Sequence, residues 1–213
     1  MTVEITYVKG EIMTHRHLSI QEAREMGEKD KEEFVRAIEG SAHDSEVLYW
    51  GCSQAVLKAL QQHFNLGDGE VFKAATAFGG GVARTREVCG ALLGGVMAIG
   101  LAYGRAQYEA GKIALEQPEY LEATLRAKRL CERFKEVFGA LRCDEVRLSV
   151  GRIVEEAGYN TLESLEDHAK CGDVTGPTAR LTAEIILEPT ASFAPDIEER
   201  LERIKQVRQR QSL

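Results

Sequence analysis

Cys89-Gly-Ala-Leu-Leu-Gly-Gly-Val-Met-Ala-Ile-Gly-Leu-Ala-Tyr-Gly104 is the least polar stretch of the chain. It follows a glycine run, Phe78-Gly-Gly-Gly81, and begins at a cysteine. With apolar residues on every side, it reads as a buried helix around which the other elements pack. Its interior glycines each cost a helix about 0.5–1 kcal/mol relative to alanine. Their use is close approach, by another helix or by a cofactor. Cys89, at the predicted helix start, lies where the dipole and free N–H groups favour a thiolate, and Arg84 and Arg86 precede it closely.

Outward from this stretch, helix signals dominate. The chain has 213 residues, only four prolines and a hydrophobic fraction of 44%. Ser19-Ile-Gln-Glu22 is a capping box, opening a polar helix expected to run to about Glu39, with Gly40 as its cap. A second helix is expected from Glu46 to Phe64, with Gly51-Cys52-Ser53-Gln54 inside it. A short one follows from Glu70 to Phe78. Gln107 to Leu115 should finish the central helix. Pro118 to Phe138 is another helix, ended by Gly139. Further helices are expected at Glu145–Ala157, Thr161–Ala169 and from Thr178 to Pro189, with Gly172–Pro177 as a turn. Ile197, Leu201, Ile204 and Val207 give a last helix a narrow apolar seam, which docks on the chain's own body or on a second copy in a homodimer. At the N-terminus, Val3, Ile5 and Tyr7 alternate with polar residues, and Lys9-Gly10 can turn the chain into Glu11-Ile-Met13. That segment reads as a short hairpin or an extended arm. The predicted fold is all-α: an irregular, orthogonal bundle of about seven or eight helices around the glycine-rich one. Residues 1–43 form an N-terminal arm and polar helix, 44–188 a four-cysteine helical domain, and 189–213 a C-terminal amphipathic helix.

Composition narrows the function classes. A formal charge of −7 argues against a general nucleic-acid surface. The apolar stretch holds 16 residues between Arg86 and Arg105, short of the roughly 20 that a membrane span needs. No secretory signal is read at Met1-Thr-Val-Glu, so a cytoplasmic location is expected. No nucleotide loop, Ser-His-Asp order or pair of catalytic carboxylates is evident, and the sequence leaves open whether the protein is an enzyme.

The chemistry therefore rests on Cys52, Cys89, Cys131, Cys143 and Cys171. In a reducing compartment they are not a disulfide framework. The absence of Cys-x-x-Cys excludes a thioredoxin-type pair, and the absence of Cys-x-x-Cys-His excludes covalent haem. Any shared site must be assembled from distant helices. Cys143 and Cys171 fall at breaks between helices, whereas Cys131 lies mid-helix among charged residues and reads as structural.

Gly51-Cys52-Ser-Gln-Ala, Cys89-Gly-Ala-Leu-Leu-Gly94, Phe134-x-x-x-Phe138-Gly139-x-x-x-Cys143 and Cys171 follow one another in an order that resembles the C_GCAxxG_C_C family. The family is named for four cysteines and for a redox role inferred from them. The likeness spans roughly residues 44–188 and leaves Cys131 outside. A related helical domain occurs in split-Soret cytochromes, whose haem function does not carry over because no haem motif is present. The resemblance implies that Cys52, Cys89, Cys143 and Cys171 form one site. Such a site would hold an iron–sulfur cluster or a zinc ion, with His168 as an alternative ligand, and would serve electron transfer or sensing with an unidentified redox partner. Cofactor-free thiol–disulfide chemistry is a second expectation, with Cys89 as the attacking thiol and Cys52 or another of the four resolving it. A helical scaffold whose cysteines merely pack is a third.

Overall fold

The computed structural model describes the backbone of residues 3–8, 11–151 and 162–211, and the side chains of 17–151 and 166–210. Strands β1 (Val3–Val8) and β2 (Glu11–Arg16) pair antiparallel, with Val3 opposite Arg16 and Tyr7 opposite Ile12. The alternating N-terminal residues thus form the hairpin; its expected Lys9-Gly10 turn lies outside the described residues. Among the described residues every other regular element is a helix, so the fold is all-α with an N-terminal hairpin.

The capping box at Ser19 is present: Ser19 Oγ accepts from the Glu22 amide, and Glu22 accepts from the Ser19 amide at 2.8 Å. The helix it opens, α1 (Ile20–Arg24), is short. A second helix, α2 (Glu28–Tyr49), runs straight through Gly40 and Ser45, where helix ends were expected. Its buried stripe explains this. Phe34, Val35, Ile38, Ala42 and Glu46 keep the 3.6-residue period across Gly40. They pack against α9 (Gly172–Leu187) in the most extensive helix contact of the fold. Burial along one face outweighs the roughly 1 kcal/mol cost of a single glycine.

The expected helix from Glu46 to Phe64 is broken in the middle. Trp50 and Gly51 adopt φ of 57° and 128°, and α3 (Cys52–Phe64) starts afresh at the cysteine. Asp68 caps α4 (Gly69–Ala74), which passes into a 3-10 turn at Ala75–Phe78. Residues 80–84 then wind left-handed, with φ between 51° and 74°. That conformation costs a non-glycine residue about 1–2 kcal/mol.

Helix α5 (Gly90–Tyr103) is the central element, packed against α3, α6 (Pro118–Phe138) and α9. It ends at Gly104 rather than continuing through Leu115. Pro118 begins α6 and Gly139, at φ 79°, ends it. Then come α7 (Cys143–Ser149) and α8 (Leu162–Ala169). The expected end of α7 at Ala157 lies outside the described residues. Pro177 does not delay α9, which begins at Gly172 and takes the proline into its second turn. Arg24 and the fully buried Arg126 donate to the carbonyls that end α9. The last helix, α10 (Ala194–Gln211), docks on its own chain: Phe193 and Ile197 pack with Leu121 and Leu125 of α6. Among the described residues no helix is long and apolar enough to cross a membrane.

Candidate functional site

Each of the four motif cysteines sits at the beginning of a helix. Cys52 is the first residue of α3 and Cys143 the first of α7, while Cys89 and Cys171 cap α5 and α9. The Trp50-Gly51 break is what puts Cys52 there, rather than in mid-helix as expected. Cys89 and Cys143 are brought together by a short antiparallel bridge. The Cys89 amide donates to Leu141 O at 2.9 Å and the Cys143 amide to Glu87 O at 2.6 Å, with Val88 paired to Arg142. An Arg142–Glu87 ion pair at 2.6 Å lies beside the bridge. The Cys171 amide donates to His168 O at 2.9 Å, joining the end of α8 to the start of α9.

All four side chains line one cavity of about 400 Å³. Cys89 and Cys143 are buried, Cys52 and Cys171 half-buried, and none is in a disulfide. Cys131 sits within α6 and does not line the cavity.

Gly90 explains the glycine that follows Cys89. A Cβ on it would fall 2.5 Å from Cys52 Sγ and 2.6 Å from Phe78 O. Only a residue without a side chain lets the second helix start so near the first cysteine. Gly94, one turn on, abuts the backbone of Ser53 in the same way. The small residues of the motif thus clear space for α3 and its sulfur.

Electrostatics inside the cavity depart from expectation. The dipole at the start of α5 was expected to lower the Cys89 pKa; instead the thiol is pushed up to about 12. Burial is the main cause and neighbouring Cys143 adds to it, outweighing the Ala91 and Leu92 N–H groups that favour the thiolate. The Cys52 thiol is also pushed well up, first by burial and then by the Glu46 carboxylate, while the Gly80 N–H works the other way. Without a cation to replace their protons, these are neutral thiols at neutral pH.

The wall beyond the sulfurs is polar. Glu46 is buried and lines the cavity; one carboxylate oxygen lies 3.2 Å from His168 Nε2, and the other has no hydrogen-bond partner. The His168 ring stacks on Trp50, centroids 4.0 Å apart. His168, expected as an alternative ligand, is a largely buried partner of Glu46. Trp50 is part of the cavity wall. Glu46 escaped the sequence reading altogether. Its signal was the buried stripe, because Glu46 lies four residues after Ala42 on the same face. Arg84 and Arg147 line the same cavity.

Fold and cavity define an all-α protein in which four cysteines, at the starts of four helices, line one cavity. The chain belongs to the family described as "Putative redox-active protein (C_GCAxxG_C_C)", whose model matches residues 50–185. That span contains all four motif cysteines and excludes β1, β2, α1, α2 and α10. Comparison with curated proteins and with solved structures found no match.

Proposed function

We propose that this is a redox protein in which Cys52, Cys89, Cys143 and Cys171 hold an iron–sulfur cluster used for electron transfer or sensing. One observation carries the reading: four cysteines, far apart in sequence, line a single cavity from the starts of four helices. Four thiolates suit an iron–sulfur cluster, and a zinc ion is the alternative occupant. Zinc needs its four sulfurs about 2.3 Å from one point. Among the described residues no group of three or more His, Cys, Asp or Glu is so disposed as to hold a metal ion. The four cysteines share a cavity of about 400 Å³.

The bound group would supply reversible one-electron transfer. The chain's part is to bind it, shield it and bias its charge. Backbone N–H groups of Gly80, Ala91 and Leu92 point at the Cys52 and Cys89 sulfurs and favour their anionic form. The N-termini of α3, α5 and α9 add positive potential, and Arg84 and Arg147 add charge. Glu46 opposes them, raising the Cys52 pKa by its negative charge. Burial of Cys89 and Cys143 keeps water off that side. Cofactor-free thiol–disulfide exchange is less well supported, because its proposed attacking group, Cys89, is a buried neutral thiol.

Anaerobic purification followed by iron, sulfide and zinc analysis and a visible spectrum tests this proposal. Iron and sulfide in near-stoichiometric amounts are expected. Less than about a tenth of an equivalent of any metal would reject the ligand role, since an assembled site fills almost completely.

A further inference from the structure

Glu46 is 1% exposed and is the only carboxylate among the described residues that line the cavity. The period of α2 puts it there, since it follows Phe34, Val35, Ile38 and Ala42 on the buried stripe. One carboxylate oxygen, Oε1, lies 3.2 Å from His168 Nε2. The other, Oε2, is shielded from solvent and has no hydrogen-bond partner among the described residues. A carboxylate accepts at both oxygens, and a buried acceptor left unmet costs stability. Such an atom on the wall of a cavity is explained by a donor that arrives from outside.

The surroundings narrow the kind of donor. His168 stacks on Trp50, ring centroids 4.0 Å apart and 20° from parallel, so the acid stands beside an aromatic wall. Ala91, Val146 and Val174 make other parts of the lining apolar. Arg147, largely buried, and Arg84, exposed and so at the mouth, bring positive charge to the same cavity. A plain cation would meet the acid but be opposed by the arginines. A plain anion would meet the arginines but be opposed by the acid. A molecule with one charge of each sign complements both. The cavity volume, about 400 Å³, lies within the range of about 300–1,000 Å³ for small-molecule sites.

We infer that the cavity is also a binding site for a small dipolar organic molecule of the amino-acid class, whose ammonium group donates to Glu46 Oε2 and whose carboxylate is directed to Arg84 and Arg147. The inference goes beyond the redox reading and does not rest on what the sulfurs hold. The ammonium end is the buried one, because Glu46 is shielded from solvent and Arg84 is exposed. Its bond to a carboxylate is charge-assisted, the strong kind.

Trp50 is the only tryptophan of the chain and lies on the cavity wall, so its fluorescence reports binding there. The test titrates the full chain, as purified, with glycine, γ-aminobutyrate and ε-aminocaproate, which carry the same two charges at increasing separation. At least one is expected to give a saturable change with a Kd of about 1 mM or tighter. Butyrate and butylamine, each missing one charge, are expected to bind at least about ten-fold more weakly than the best amino acid. Glu46→Gln keeps the shape of the side chain and an acceptor but loses the charge. It is expected to weaken the best amino acid about ten-fold and to erase its advantage over butyrate. Trp50 also borders an outer groove with exposed Glu166, and Glu166→Gln is expected to leave every affinity unchanged. A loss there instead of at Glu46 places the molecule outside the cavity and overturns the inference. So does an unaltered affinity in Glu46→Gln, or no saturable change with any of the three amino acids. Should Glu46→Gln not fold, equal binding of butyrate and the best amino acid by the wild-type chain is the overturning result. Iron is measured in the same samples, so failure of the cluster reading and failure of this one show in different readouts.

Discussion

Replacing Gly90 with alanine tests whether the glycine of the cysteine motif exists to admit Cys52. The new methyl would meet Cys52 Sγ at 2.5 Å and Phe78 O at 2.6 Å, both well inside van der Waals contact. The oxygen belongs to the backbone and cannot swing away. Overpacking of this kind costs about 1–3 kcal/mol. Alanine returns about 0.5–1 kcal/mol of helix propensity, less at the first helical position. The net expectation is a loss of about 1–2 kcal/mol, or a melting temperature lower by about 2–8 °C for a chain of this size. Gly100→Ala is the internal comparison. It lies on the same helix, exposed, with no atom within 4 Å of its would-be Cβ. That change should stabilise by about 0.5–1 kcal/mol. Thermal unfolding followed by circular dichroism reads both. The Gly90 variant should also hold less iron, because relief of the clash moves the Cys52 sulfur. If both variants shift stability in the same direction and bind equal iron, Gly90 is not a clearance residue and the close seating of Cys52 is mistaken.

Other outcomes follow from the same geometry. Cys131→Ser should leave metal content unchanged, whereas serine at Cys52, Cys89, Cys143 or Cys171 should each lower it; equal loss in all five would show that the cavity does not select its ligands. Arg126→Ala should cost about 3–5 kcal/mol in urea unfolding, since it strips the charged partner from largely buried Glu122 and the donor from Ile185 O, leaving Glu188 O to Arg24 alone; a loss below about 1 kcal/mol would contradict its burial. Alkaline pH should weaken the metal-free protein. The Cys89 pKa is raised on folding, so the folded state keeps a proton that the unfolded chain releases. That stability is complete below pH about 9 and is lost toward pH about 12. Urea titrations should show a shallower decline for Cys89→Ala, by up to about 1.4 kcal/mol per pH unit; parallel profiles would refute the assigned shift.

Several features were legible in the chain because their causes are local. Apolar residues all round the stretch after Cys89 can only be buried, and Pro118 and Gly139 delimit α6 by backbone chemistry alone. The capping box marks the start of α1 for the same reason. The order of the four cysteines with their glycines was enough to name the group that forms the cavity. Where the reading failed, distant packing overrode local signals. Gly40 does not end α2 because the stripe on both sides of it is buried against α9. Pro177 does not exclude helix from residue 172, since tertiary contacts hold that first turn. Cys52 starts a helix rather than sitting inside one because Trp50 and Gly51 leave helical space together, which no periodicity reveals.

What the sequence determined by itself is the identity of the central helix and the set of residues that could share a site. Only the tertiary structure decided how they meet. The bridge between residues 87–89 and 141–143 joins Cys89 to Cys143 across a long span of chain. Gly90 seats Cys52 beside them, and Glu46 with His168 forms the polar wall. Hydrogen bonds and close contacts between distant segments depend on the whole packing arrangement, so no local window carries them. Burial likewise overturned the expected thiolate at Cys89. Desolvation grows with everything packed around the sulfur, whereas the helix dipole that the sequence announces acts only over its first turn.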